Sequence, residues 1–236
     1  MADTETMKAD VPILTIDGPS GSGKGTVARL IARRLGWHFL DSGALYRLLG
    51  LAAVRIGVAL DDAVALAALA RRLDVAFPAG EDGSQRCLLG GEDVTQAIRT
   101  EEGGNAASRV AAIPEVREAL LQRQRGFCRA PGLVADGRDM GTVVFPDAGL
   151  KIFLTASVEE RARRRHKQLK EQGLGGTLST LLREIAERDE RDANRPVAPL
   201  LPAEDAVTVE TTGVPVEAVV AEVMDRARAR FGLRSD

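Results

Sequence analysis

The run Gly18-Pro19-Ser20-Gly21-Ser22-Gly23-Lys24-Gly25-Thr26 carries the clearest chemistry in the chain. It fits the phosphate-loop spacing Gly-x4-Gly-Lys. Glycines there let the backbone turn so that successive N–H groups converge on an anion. The helix expected after the loop adds its positive N-terminal end. Lys24 can reach the β- and γ-phosphates of a nucleoside triphosphate and follow their charge during transfer. One position departs from the standard loop. Gly25 stands where Ser or Thr would bind Mg²⁺ directly, and Thr26 comes one residue late. Water is therefore expected to complete the metal's shell.

Other charged clusters recur at expected strand ends and on basic helices. Asp136-Gly137-Arg138-Asp139 follows the apolar run Leu133-Val134-Ala135, and Asp41-Ser42 follows Trp37 to Leu40. Asp136 could hold a metal through water or equally cap a turn, and Asp139 could read a ligand or sit in a surface turn. Arg161, Arg163, Arg164 and Arg165 lie on one basic helix, with Arg161 and Arg165 one turn apart. Arg188, Arg191 and Asp192 share a helical face. His38 and His166 are the only histidines, and neither is expected to be catalytic.

The elements that must position these groups alternate between strand and helix. Val11 to Ile16 reads as a buried strand, followed by a helix over 23–35. Asp41-Ser42-Gly43 opens a helix through about Val54, and Asp61 or Asp62 can cap a third, ending near Leu73. Residues 74–94 read as an inserted antiparallel hairpin, with extended runs Val75 to Phe77 and Arg86 to Leu89 around Gly80 to Gly83. Pro114 starts a helix to about Arg129. Leu150 to Leu154 is a strand, and a basic helix begins near Val158. Gly173, Gly175 and Gly176 break it before a helix over 178–192. Ala206 to Val209 and Val216 to Phe231 are the last strand and helix. Five apolar strands separated by helices predict an α/β fold with a five-stranded parallel sheet covered on both faces. Ligands bind such sheets at the carboxyl ends of the strands, where the clusters above fall.

The Gly-Lys-Gly-Thr ending resembles nucleoside-monophosphate kinases. Asp41-Ser42-Gly43-Ala44-Leu45-Tyr46-Arg47, Asp136 to Thr142, Arg188 to Arg195, Gly91-Glu92-Asp93-Val94 and Asn105-Ala106-Ala107-Ser108 narrow the resemblance to bacterial cytidylate kinases. It covers about Ile13 to Pro202. It implies a P-loop, adenylate-kinase-like core with a nucleotide-binding insertion and a small mobile lid, and transfer of the γ-phosphate of ATP, with Mg²⁺, to CMP or dCMP. The loop residues 18–26 are expected to bind ATP by their motif, with Arg161 and Arg165 of the basic helix beside them. By the resemblance, the acceptor-side roles follow. Arg47, Arg138 and Arg195 clamp the acceptor phosphate, and Ser42 lies close to the acceptor. Ser108, Arg117 and Asp139 read cytosine, and Arg188 and Asp192 hold the ribose. Lys24, Arg138, Arg188 and Arg195 supply catalytic charge. The implied organisation is a tail over residues 1–10 and one kinase domain over 11–236, its acceptor-binding region near 60–112 and its lid near 160–177.

Bulk composition bounds the alternatives. The net charge of −2 and the 3% aromatic content argue against a nucleic-acid-binding ATPase built on the basic helix. Of 32 basic residues only five are lysine, so arginine is the default surface cation and a lone Arg says little. Cys87 and Cys128 form no metal motif or disulfide framework. No apolar run approaches the ~20 residues of a membrane helix. The expectation is therefore a cytoplasmic monomer with small-molecule partners and neither nucleic-acid nor membrane partners. A kinase for another small acceptor, such as shikimate, and a non-catalytic ATP-binding module remain as competing readings. Lys24→Ala should abolish transfer and leave the fold intact; near-native turnover with ATP in that variant would refute the phosphate-loop assignment.

Overall fold

A computed structural model describes residues 11–78, 85–171 and 175–233. Its centre is a parallel sheet of β1 (Ile13–Asp17), β2 (His38–Asp41), β6 (Leu133–Gly137), β7 (Leu150–Thr155) and β8 (Val207–Glu210). The order is β2-β6-β1-β7-β8, with every neighbouring pair parallel. Strand side chains alternate between faces. Leu133 and Ala135 accordingly join one buried cluster, whereas Val134, Leu14 and Ile16 join the other. The second cluster is closed by α1 (Lys24–Leu35) and α8 (Val216–Phe231). The first is closed by α2 (Ser42–Arg55), α3 (Ala63–Arg71), α4 (Glu101–Val110) and α5 (Pro114–Arg125). Both faces are thus covered, as the unbroken apolar runs of the strands require.

The register brings the carboxyl ends of three strands side by side. Asp17 pairs with Gly137, and Asp41 pairs with Asp136. The phosphate loop leaves β1, α2 leaves β2, and a short π-helical turn, Met140–Val144, follows β6. All three connections emerge on one rim.

The insertion is a small antiparallel sheet with one strand more than the expected hairpin: β3 (Val75–Ala76), β4 (Leu88–Leu89) and β5 (Glu92–Asp93), in the order β3-β4-β5. Gly90 and Gly91, with φ of 57° and 80°, make the two-residue turn from β4 to β5. Positive φ at both positions matches the twist of a hairpin, and glycine adopts it without strain. The expected bend at Gly80 to Gly83 lies outside the described residues.

Two further elements were not expected. A 3₁₀ turn, Ala97–Arg99, leads into α4. Gly103 and Gly104 lower the helix propensity of α4, yet Thr100 caps it by accepting from the Gly103 N–H, with Glu101 and Glu102 in the first turn. The helix from Pro114 ends at Arg125, four residues early. α6 (Val158–Glu171) and α7 (Leu178–Ala193) pack against each other around Ala162, Leu169, Leu181 and Ile185. Gly173 lies outside the described residues, and Gly176, at φ 158°, precedes α7.

α2 and α4 approach closely at Gly50, where an added Cβ would lie 3.0 Å from the Ala106 Cβ. Gly50→Val should push these helices apart at a cost of about 1–3 kcal/mol, against a few tenths gained in helix propensity. Thermal unfolding should record a midpoint lower by roughly 2–8 °C. An unchanged midpoint would mean that the contact is not tight.

Candidate active site

The phosphate loop turns where glycine permits it. Gly21 and Gly23 have φ of 78° and 90°, and a Cβ on Gly18 would lie 2.0 Å from the Leu154 carbonyl oxygen. Lys24 is buried at the start of α1, and its Nζ donates to the Pro19 carbonyl at 3.0 Å across the loop. Burial, helped by the charge of Arg138, pushes the Lys24 ammonium down to about 7 against the pull of Asp136.

Gly25 explains its own departure from the standard loop. A Cβ there would lie 2.9 Å from Asp136 Oδ2, so a serine or threonine would make the carboxylate on β6 shift aside. The acid thus fills the place of the missing hydroxyl. Asp136 Oδ1 is buried and without a hydrogen-bond partner. Burial pushes the Asp136 carboxyl up to about 6, while Lys24 opposes the rise. An orphaned buried oxygen beside a phosphate loop suits a hydrated divalent cation. Among the described residues no group of three or more His, Cys, Asp or Glu could hold a metal by itself. Asp136 caps no turn; it lies within β6.

Opposite the loop, α2, β6 and α7 bring together Arg47, Arg138, Arg188 and Arg195. Arg47 donates to the Ile98 carbonyl at 2.8 Å and to the Thr100 carbonyl at 3.4 Å. Arg138 Nε donates to Asp192 at 2.9 Å. Arg188 Nε and Arg195 Nη2 are buried without partners. Burial and the repulsion of Arg138 and Arg47 pull Arg188 down to about 9. Burial pushes Asp192 up, but Arg138, Arg188 and Arg195 overcome it and hold the carboxyl below its usual value. This cluster has more positive charge and more donors than its own carboxylates satisfy, the condition for binding an anion.

A third group lies under α5. Arg117 and Asp139 form a buried ion pair, with the Arg117 guanidinium 6.0 Å from the centre of the Tyr46 ring. The Asp139 side chain makes no helix-cap bond. Ser42 donates to Gln124 Oε1 at 2.7 Å. Ser108 donates to Asp192 at 3.3 Å, and Arg191 reaches Asn105 at 3.2 Å.

The basic helix packs over the loop. Arg161 is buried; it donates to the Ser20 carbonyl at 3.1 Å and makes two bonds to Asp189. Arg164 donates to the Ser22 carbonyl at 3.3 Å and to Thr211. Arg165 turns the other way, to Glu101 and to the Arg99 carbonyl. Helical spacing pointed to Arg161 and Arg165 for ATP and passed over Arg164, which reaches the loop directly. Gln124, Glu101, Asp189 and Thr211 were also missed, since single polar residues at unremarkable spacing carry no signal until the fold pairs them. The His38 ring donates from Nε2 to the Ala130 carbonyl at 2.9 Å, at the end of the sheet away from this rim, in keeping with a packing role.

One cavity of about 570 Å³ joins the loop, the arginine cluster and the Arg117–Asp139 pair, while Arg161, expected at ATP, is buried behind the loop and is not among its walls. Lys24, Arg47, Asp136, Asp139, Arg165 and Arg188 are among its walls. The family model described as cytidylate kinase matches residues 14–229. The chain belongs to the cytidylate kinase family. Its curated relatives include the cytidylate kinase of Pseudomonas paraeruginosa, 64% identical over 219 residues, 92% of this chain and 96% of that protein. The cytidylate kinase of Marinomonas sp. is 60% identical over 222 residues, 94% and 97% of the two chains. That of Shewanella loihica is 58% identical over 214 residues, 91% and 93%.

Within this family member the loop lysine has a proton to gain. At pH 8 the empty site holds Lys24 largely neutral, because its ammonium titrates near 7. A bound polyphosphate favours the charged form, so ATP binding at pH 8 should take up roughly one proton. Calorimetric titration in two buffers of different ionisation enthalpy reads that number. Uptake should shrink below pH 7, where Lys24 is already protonated. Zero uptake at pH 8 would mean that the lysine is charged in the empty site.

Proposed function

We propose that this chain transfers the γ-phosphate of ATP to CMP or dCMP, giving ADP and CDP or dCDP. The observation that carries this reading is one cavity with a phosphate loop on one wall, an under-neutralised arginine cluster on another, and the Arg117–Asp139 pair beyond it. Family membership supports the same reaction.

In this reading, residues 18–26 cradle the β- and γ-phosphates, and Lys24 leaves the Pro19 carbonyl to follow the transferred group. Arg161 holds the loop through the Ser20 carbonyl, and Arg165 supplies a further cation to ATP once it leaves Glu101. Mg²⁺, when bound, would supply charge neutralisation at the phosphates, and Asp136 would hold it through water by the oxygen that has no protein partner. Arg47, Arg138 and Arg195 grip the acceptor phosphate; Arg188 and Asp192 position the ribose; Ser42 lies beside the acceptor. The acceptor is already an anion at neutral pH, so no strong general base is required. Lys24, Arg138, Arg188 and Arg195 lower the barrier by offsetting repulsion between two polyanions, in positions set before the substrates arrive.

Cytosine presents an N4 donor beside the N3 and O2 acceptors. Asp139 takes the donor and Arg117 serves the acceptors, with Ser108 at the edge of the base. Uracil turns a lone pair toward Asp139 instead. The acceptor-binding region near 60–112 and a lid near 160–177 close over the two nucleotides as parts of one kinase domain. We assign the protein to the cytoplasm as a monomer without nucleic-acid or membrane partners. Its acidic net charge and two free cysteines support this. No helix among the described residues is long and apolar enough to cross a membrane.

A panel of nucleoside monophosphates with Mg-ATP, followed by ADP formation, tests the reaction: CMP and dCMP should lead. The same panel on Asp139→Ala should show CMP losing roughly ten- to a hundredfold more kcat/KM than UMP, because an acceptor facing a buried carboxylate costs about 1–3 kcal/mol. Equal losses with CMP and UMP would reassign Asp139 to structure.

A further inference from the structure

We propose that Asp17 is a positioning residue for base recognition, holding Asp139 in place by accepting from the two backbone N–H groups that follow it. Asp17 does not line the cavity and touches no group assigned to substrate. It ends β1 directly opposite Gly137, and its carboxylate faces the turn that leaves β6. Oδ1 accepts from the Met140 N–H at 2.9 Å, and Oδ2 accepts from the Gly141 N–H at 2.8 Å.

Those two amides open the π-helical turn Met140–Val144 and have no partner within it, as at any helix start. Asp139 itself has φ −149° and ψ 24°, outside the regular helix and strand regions. Backbone bonds hold that conformation from both sides. The Asp139 carbonyl accepts from the Val143 and Val144 N–H groups on one side, and Asp17 captures the next two amides on the other. The turn also packs tightly onto its supports: a Cβ on Gly137 would lie 2.7 Å from Met140 Cγ, and one on Gly141 would lie 2.9 Å from Thr15 Oγ1. The Asp139 side chain therefore leaves the backbone toward Arg117 from a fixed origin.

The chemistry calls for two acceptor oxygens; burial pushes the Asp17 carboxyl up to about 7, and the bonds from Gly141 and Met140 oppose that rise. Two N–H donors converge on two oxygens, and an amide in its place would turn an NH₂ group toward one of them. Thr15, two residues earlier on the same strand face, also abuts the turn, but its hydroxyl is buried without a hydrogen-bond partner. Thr15 thus contributes packing alone, which makes it the internal control.

This role rests on the base-reading assignment of Asp139, and the experiment separates the two. The kcat/KM ratio of CMP to UMP is measured in wild type, Asp17→Asn, Thr15→Val and Asp139→Ala, with the KM for ATP and amide exchange at Met140 and Gly141. Asp17→Asn should narrow the ratio by roughly three- to tenfold, mainly by loss with CMP, and keep the KM for ATP within about twofold. It should also speed exchange at both amides. Thr15→Val should leave the ratio unchanged. A ratio unchanged in Asp17→Asn but narrowed in Asp139→Ala overturns the positioning role alone. So does equal narrowing in Thr15→Val, which makes the effect one of general packing. A ratio unchanged in Asp139→Ala overturns the base-reading assignment and this role with it. Should Asp17→Asn fail to fold, Asp17→Ser, which keeps one small acceptor, is read by the same criteria.

Discussion

Like charges held close together out of water set the terms for this structure. Arg47, Arg138 and Arg188 repel one another inside a shared cavity, and Asp192 is the carboxylate that faces most of them. The remaining donors lean on carbonyls: Arg47 on Ile98 and Thr100, Arg195 on the Asp192 backbone. Carbonyls satisfy donors without cancelling charge, so the cluster keeps its positive potential. The strand register, the capped start of α4 and the approach of α7 all serve to hold this arrangement against its own repulsion. The stability lost there is recovered in two apolar clusters on the faces of the sheet, away from the rim.

The two nucleotide sites are also tied mechanically. The turn Ala97–Arg99 and the start of α4 receive Arg47 through the Ile98 and Thr100 carbonyls. They receive Arg165 through the Arg99 carbonyl and Glu101. Arg165 of α6 and the acceptor clamp Arg47 thus hold the same four residues, Ile98 to Glu101.

The sheet was legible in the sequence because its strands are short apolar runs, three of them ended by Asp-Gly or Asp-Ser, and the helices between them carry good starts such as Asp62 and Pro114. The phosphate loop was legible because glycine and lysine at fixed spacing have few other uses. α4 was not, because Gly103 and Gly104 mask a helix whose cap at Thr100 is its clearest signal. β5 is two charged residues, Glu92 and Asp93, which hold no strand pattern. The acceptor-side assignments came from resemblance, since an arginine in an arginine-rich chain has no signature of its own. The fold supplies what spacing could not: Arg117 against Asp139, and Arg138 against Asp192. Gln124 and Asp17 illustrate the converse, residues whose importance is visible only through the neighbour each one holds.

The close approach of Gly25 and Asp136 has a bearing on descent. A hydroxyl at position 25 and a carboxylate at position 136 compete for one small volume. A side chain at position 25 makes the acid at position 136 turn aside, and removing the acid leaves the pocket without the oxygen that now fills it. A change at either position is therefore felt at the other.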